Sequence, residues 1–244
     1  MNKLLNTLFA VSVACATSLA FAQTPPATAP AQATNVAPAT PAAGPASPKS
    51  LEAKVAMCIG CHGIVGYKSS FPEVYRVPQI AGQGAKYIAA ALNAYKTGDR
   101  KHPTMRGIAE SLTDQDIADI STYYENLGRS SRKAVAEKPS REPNAQVSAL
   151  LQKAACASCH GANMSKPIDP SYPKIAGQYA DYLFVALKSY KMENNPASGR
   201  NNAVMGAIAK QFSNAELKAL SNYVGSLEGE MQTVPEPRFH RSNH

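Results

Sequence analysis

The sequence predicts an all-α chain made of two tandem copies of one small domain, and three observations carry that expectation. Cys58-Ile59-Gly60-Cys61-His62 recurs further on as Cys156-Ala157-Ser158-Cys159-His160. The similarity between the copies runs on for some 60 residues past each motif. Within it, apolar residues return at helical spacing behind helix-start signals that stand at matching places in both copies.

Two cysteines three apart with a histidine directly after them form the attachment pattern of a c-type haem. The two thiols can form thioethers with the two vinyl groups of one porphyrin, and the adjacent imidazole can bind its iron. A single Cys-x-x-Cys could equally be a thioredoxin-like redox pair, half of a zinc site or a disulfide. Two copies, each followed by His, favour two covalently attached haems held by Cys58, Cys61, Cys156 and Cys159, with His62 and His160 as iron ligands. A zinc site would have to find its partners among His102, His240 and His244.

Residues 1–22 read as a secretory leader: Lys3, an apolar run through Leu4, Leu5, Leu8, Phe9, Val11 and Val13, then Ala20-Phe21-Ala22 before Gln23. The fifth cysteine, Cys15, falls inside it, and Ser12 stands where a lipid-anchor signal carries a bulky aliphatic residue. Residues 23–48 hold seven of the eighteen prolines and no charged residue. Such a stretch cannot bury a core and is expected to be a disordered tether. Beyond the tether the expected organisation is a first domain at 49–128, a basic linker at 129–143, a second domain at 144–229 and a tail at 230–244.

The offset between the copies changes along the chain. It is 98 residues at the haem motifs, 95 from Ile80-Ala81-Gly82-Gln83 to Ile175-Ala176-Gly177-Gln178, and 100 from Met105 to Met205. Loops absorb such changes, so one insertion lies after the first haem motif and the other before Met205. Helices are expected over 83–96 and 178–191. A last helix in each copy should start at Thr113 with Asp116 and at Ser213 with Glu216, pairs that resemble capping boxes. Behind them Ile117, Ile120, Tyr124 and Leu127 align with Leu217, Leu220, Val224 and Leu227, a stripe read as core.

A soft thioether opposite the histidine keeps a haem iron six-coordinate and raises its potential. Met105 and Met205 are the candidates, because Met57, Met164, Met192 and Met231 have no counterpart in the other copy. His102 is the nearby rival to Met105, but the second copy has Asn202 there, so His102 is expected to be an ordinary polar loop residue.

Formal net charge is +8. It falls to +7 when Lys3 leaves with the leader and to +3 once the four propionates of two haems are counted. The basic linker is expected to be solvated. Lys86, Lys96, Arg100, Lys101 and Arg106 could form a docking face for an acidic partner. Nucleic-acid binding is excluded by the export signal and the lack of a recognition motif.

Two Cys-x-x-Cys-His motifs, Pro78 and Pro173 each just before the Ile-Ala-Gly-Gln repeat, and a late Met in each half resemble the dihaem cytochrome c4 family over residues 51–228. The resemblance implies two class I cytochrome c domains related by a pseudo-twofold axis, each enclosing one covalent haem, with the propionate edges facing each other. It implies that Pro78 and Pro173 lie on the histidine side of each haem. It further implies a periplasmic electron carrier, peripherally associated with the membrane, running from a quinol-oxidising complex to a terminal oxidase. No residue then acts as acid, base or nucleophile. Two other classes stay open: the cytochrome subunit of a dehydrogenase, such as a flavin-linked sulfide-oxidising complex, and a dihaem peroxidase, which the paired methionines argue against.

Each half has only about 80 to 95 residues and no Trp, so its own core is small. A buried porphyrin would complete it. The chain made without haem attachment should therefore lack a cooperative thermal transition; calorimetry of haem-free protein checks this, and a native-like melt would contradict it.

Overall fold

The computed structural model describes residues 48–236; the leader at 1–22, the tether before Pro48 and residues 237–244 lie outside the described residues. The first half runs α1 (Pro48–His62), a hairpin of β1 (Lys68–Ser69) and β2 (Tyr75–Arg76), α2 (Ala85–Thr97), β3 (Arg100–Lys101), α3 (Pro103–Glu110) and α4 (Asp114–Asn126). The second runs α5 (Ala145–Ala154), α6 (Ala157–His160), α7 (Ala180–Ser189), β4 (Gly199–Arg200), α8 (Ala203–Ala209) and α9 (Asn214–Gly225). The chain is mostly helical and duplicated, as expected.

Both insertions fall in loops. The hairpin of β1 and β2 occupies the longer loop of the first half, and the segment between α7 and β4 takes up the extra residues of the second. The helices expected from Gln83 and Gln178 begin two residues later, at Ala85 and Ala180. The glutamines are left outside because their side chains serve the other half of the molecule.

The last helix of each half organises its core. Ile117, Ile120 and Tyr124 of α4 pack with Val55 and Ile59 of α1 and with Ile88 and Leu92 of α2, with Leu127 at the margin. Leu217, Leu220, Val224 and Leu227 do the same against α5 and α7 in two adjoining clusters. Both helices start in complete capping boxes: Thr113 and Ser213 each accept from the backbone N–H three residues on, and the Asp116 and Glu216 carboxylates reach back. The shorter Asp116 also meets the Lys54 ammonium at 2.6 Å, tying α4 to α1.

The two halves face each other with local twofold symmetry. Gln83 accepts from Lys174 N at 3.0 Å and donates to Lys174 O at 2.9 Å. Gln178 accepts from Gln79 N at 3.0 Å and donates to Gln79 O at 2.9 Å. A second self-related contact pairs β3 with β4, with Arg100 opposite Arg200. Around these lie asymmetric ion pairs, Arg76 with Asp181 at 2.9 Å and Lys188 with Glu73.

The linker is hydrogen-bonded to both halves. Arg132 Nη2 donates to the carbonyls of Glu125 and Leu127 at the end of α4. Asn163 donates to Ala136 O, Ser140 Oγ accepts from Glu228 N, and Tyr223 Oη donates to Arg141 O. After α9 the chain returns across the interface: Gln232 N donates to Ala81 O at 2.9 Å, and Val234 packs on the first core.

Burial raises the Asp116 pKa, but the Lys54 ammonium and the Thr113 donors outweigh it and hold the carboxyl below its ordinary 3.8. A carboxyl lowered by folding contributes stability that is present above the ordinary value and lost as pH falls through the folded-state value. Asp116→Asn should therefore lower the urea midpoint at pH 7, and the difference from the unaltered protein should vanish in strong acid.

Candidate functional site

His62 closes α1 and His160 closes α6, so each imidazole projects from the end of a helix one residue after a cysteine. His62 Nδ1 lies 2.8 Å from Pro78 O, and His160 Nδ1 lies 2.9 Å from Pro173 O. A carbonyl only accepts, so Nδ1 carries the proton and Nε2 keeps its lone pair. Burial lowers the pKa of both rings, and the proline carbonyls oppose it only in part. Each ring is thus neutral, in one tautomer and oriented, the condition of a metal-binding imidazole.

No disulfide joins Cys58, Cys61, Cys156 or Cys159, so all four sulfurs remain for another attachment. Burial, opposed by the Tyr124 hydroxyl, raises Cys58 to about 11, and burial also raises Cys156. Among the described residues no group of three or more His, Cys, Asp or Glu converges as a metal cluster.

Met105 and Met205 are half-buried at the third position of α3 and α8. Asn202 caps α8 by accepting from Met205 N at 2.9 Å. His102 caps α3 in the same way, its Nδ1 accepting from Met105 N at 3.4 Å. With Nδ1 as acceptor, Nε2 carries the proton and faces Tyr75 Oη at 3.1 Å. Both nitrogens of His102 are engaged. The side chain is a helix cap with the same task as Asn202, more specific than the loop residue expected.

A cluster that sequence reasoning did not assemble lies where the halves meet. Arg100 donates to Tyr87 Oη at 2.7 Å and also covers the Tyr95 ring. Arg200 donates to Tyr182 Oη at 3.0 Å and covers the Tyr190 ring. Burial dominates at Tyr87 and Tyr95 and raises them. It also works upward at Tyr182 and Tyr190, but there Arg200 and Arg100 outweigh it and the net direction is down. Among the described residues neither guanidinium pairs with a carboxylate. Two facing half-buried cations without counter-charge are unfavourable, and the site has the chemistry to receive acidic groups.

The proposed docking face is not continuous. Arg100 belongs to this interface, Lys96 donates to Leu112 O, Lys101 donates to Asn195 O, and Arg106 pairs with Glu110. Lys86 alone of the five is exposed without such a contact in the first half.

The cytochrome c family model matches residues 52–128 and again 145–228. A cytochrome c4 of Pseudomonas aeruginosa is 30% identical over 180 residues, covering 72% of this chain and 86% of that protein. The chain belongs to the cytochrome c4 family. The reduced cytochrome c4 from Pseudomonas stutzeri superposes with a TM-score of 0.51 at 27% identity, over 73% of this chain and 97% of that one. A thiosulfate dehydrogenase electron acceptor of Thiomonas intermedia is 26% identical over 75% of this chain and 84% of its own.

As a cytochrome c4 relative with two Cys-x-x-Cys domains, the chain carries two covalent c-type haems and is an electron carrier. The residues present fit two such groups: each motif has an imidazole with a free Nε2, and the two uncompensated guanidiniums suit carboxylate-bearing porphyrin edges. The cluster had a signal in the sequence. Tyr87 and Tyr182, Tyr95 and Tyr190, and Arg100 and Arg200 all recur in register.

Because His102 acts through its cap, His102→Asn should leave stability within ~0.5 kcal/mol of the original while His102→Ala loses about 1 kcal/mol. Neither should change the visible spectrum; urea melts and absorption spectra of the two variants check this.

Proposed function

We propose that this cytochrome c4 relative is a periplasmic carrier that takes electrons from a membrane-bound quinol-oxidising complex and passes them to a terminal oxidase. In this reading Cys58 and Cys61 bind the first haem and Cys156 and Cys159 the second. His62 with Met105 would hold the iron of the first haem, and His160 with Met205 that of the second. The observation that carries it is the matched pair of oriented imidazoles, each accompanied in its own half by a methionine at the third position of a short helix with the same side-chain cap.

The haems supply one-electron chemistry between ferrous and ferric iron. The protein holds the ligands so that neither oxidation state changes them. The Pro78 and Pro173 carbonyls fix ring tautomer and strengthen the imidazoles as donors. His102 and Asn202 hold the first turns of α3 and α8, and so the methionine backbones, in place. Arg100 and Arg200, which bond to Tyr87 and Tyr182, would offset the charge of the haem carboxylates. Among the described residues no helix is long and apolar enough to cross a membrane, and peripheral association is part of the proposal. The leader at 1–22 supports the periplasm.

A second reading has support from the Thiomonas intermedia relative: the donor is a thiosulfate-oxidising enzyme, and the chain is its electron acceptor. Stopped-flow reduction by each purified donor separates the two.

Met105→Leu and Met205→Leu should each abolish half of the far-red sulfur-to-iron band of the oxidised protein, open one reduced iron to carbon monoxide and lower one of the two potentials. Spectra with haem quantified per chain check this. Ready carbon monoxide binding by the unaltered protein would instead support a haem enzyme.

A further inference from the structure

The family match ends at residue 228, and the chain beyond it doubles back over the interface. We propose that residues 229–236 are a strap that holds the two haem domains in one fixed relation, with Met231 as its pin, and so sets how readily an electron passes between the haems. The inference rests on the two-haem reading and on no particular donor or acceptor.

Met231 is only 5% exposed, between two glutamines that are each 4% exposed. Its sulfur lies 3.2 Å from Gln83 Nε2 and 3.6 Å from Gln178 Nε2. These are the two equivalent glutamines, one from each half. Each amide has two N–H groups. One goes to the carbonyl of the opposite half, at Lys174 or Gln79, and the thioether takes the other. Without the sulfur, two buried donors would lose their partner, at a cost that buried polar groups rarely bear.

The strap's other contacts alternate between the halves. Glu230 pairs with Lys174 of the second half, and Gln232 N donates to Ala81 O of the first. Gln232 Oε1 also accepts from Ser131. Thr233 Oγ1 meets Tyr179 Oη of the second half at 3.0 Å, and Val234 packs against the core of the first. The backbone is seated closely: Gly82, at φ +87°, lies where a Cβ would come within 2.6 Å of Glu230 O.

The remaining interface would not fix the geometry alone. Domains of one chain move relative to each other unless a large apolar interface holds them. Here the other contacts are polar or part-exposed: ion pairs, each worth little, a two-residue strand pair flanked by the bonds of Asp99 with Asn201 and of Lys101 with Asn195, the rings of Tyr179 and Tyr182 against Arg76 and Tyr75, and the reciprocal glutamine bonds that Met231 completes. The linker keeps the halves near each other at an effective concentration on the order of millimolar, but nearness is not a fixed orientation.

The test uses the dihaem holoprotein in three altered forms: a chain ending at Gly229, Gln232→Pro, which removes the N–H that bonds to Ala81, and Met231→Ala. In all three, haem count and both haem spectra should be unchanged. The chain ending at Gly229 should melt in two steps where the full chain melts in one, and should show a broader distribution of sizes in X-ray scattering. Electron equilibration between its haems after partial photoreduction should slow at least ~10-fold, because small displacements of reacting centres cost orders of magnitude in rate. The two point variants should shift in the same direction by less. A single melt with unchanged equilibration in the shortened chain would overturn the proposal. If that chain does not accumulate, unchanged melting and equilibration in both point variants would overturn it. Fewer than two haems in the full chain would count against the two-haem reading and leave the strap's mechanical role to the melting data.

Discussion

The hydrogen bond from each ring-bearing histidine to a proline carbonyl orders more of this molecule than its size suggests. Pro78 begins the segment Pro78-Gln79-Ile80-Ala81-Gly82-Gln83, and almost every residue of it has a separate task. Pro78 orients His62, the backbone of Gln79 receives Gln178, Ala81 bridges to Gln232, Gly82 N donates to Tyr124 O of α4, and Gln83 reaches the second half. The segment that orients the imidazole is therefore also the interface. Contacts with the other domain and the orientation of the imidazole rest on one short run of backbone.

The same six-residue pattern in the second half does the reciprocal work through Pro173 and Gln178, yet the surroundings differ. Tyr124, buried beside Cys58, is matched by Val224, and His102 by Asn202. The β1–β2 hairpin has no counterpart in the described part of the second half. Duplication supplied the frame, and local substitution made the two sites chemically unequal. Unequal surroundings are how one chain gives two identical cofactors different electronic properties.

Much of the fold was legible because the signals were local. Capping boxes at Thr113 and Ser213, and the stripes through Ile117 and Leu217, are written in residues three or four apart. The attachment motifs are contiguous, and the paired methionines stand out by recurrence. The features that were not legible depend on contacts between distant parts of the chain. Arg100 looks like a surface cation in a basic stretch, and only its pairing with Arg200 turns it inward. Gln83 and Gln178 were visible as a repeat, but a glutamine at a helix start gives no hint that it binds another domain's backbone. Residues 230–236 resemble a polar tail until the backbone of Gln232 is seen against Ala81.

The self-pairing of β3 with β4 has a consequence for how such a chain arose. A strand that meets its own duplicate antiparallel, Arg100 opposite Arg200, and glutamines that exchange identical bonds across an axis form an isologous contact, the kind made by two copies of one protein. A single-domain ancestor with these residues would have met itself in the same way, but only above its dissociation constant. Fusion through the linker replaced that dependence on concentration with a covalent connection, so the spacing of the two redox centres became a property of the gene, independent of how much of the product the cell makes.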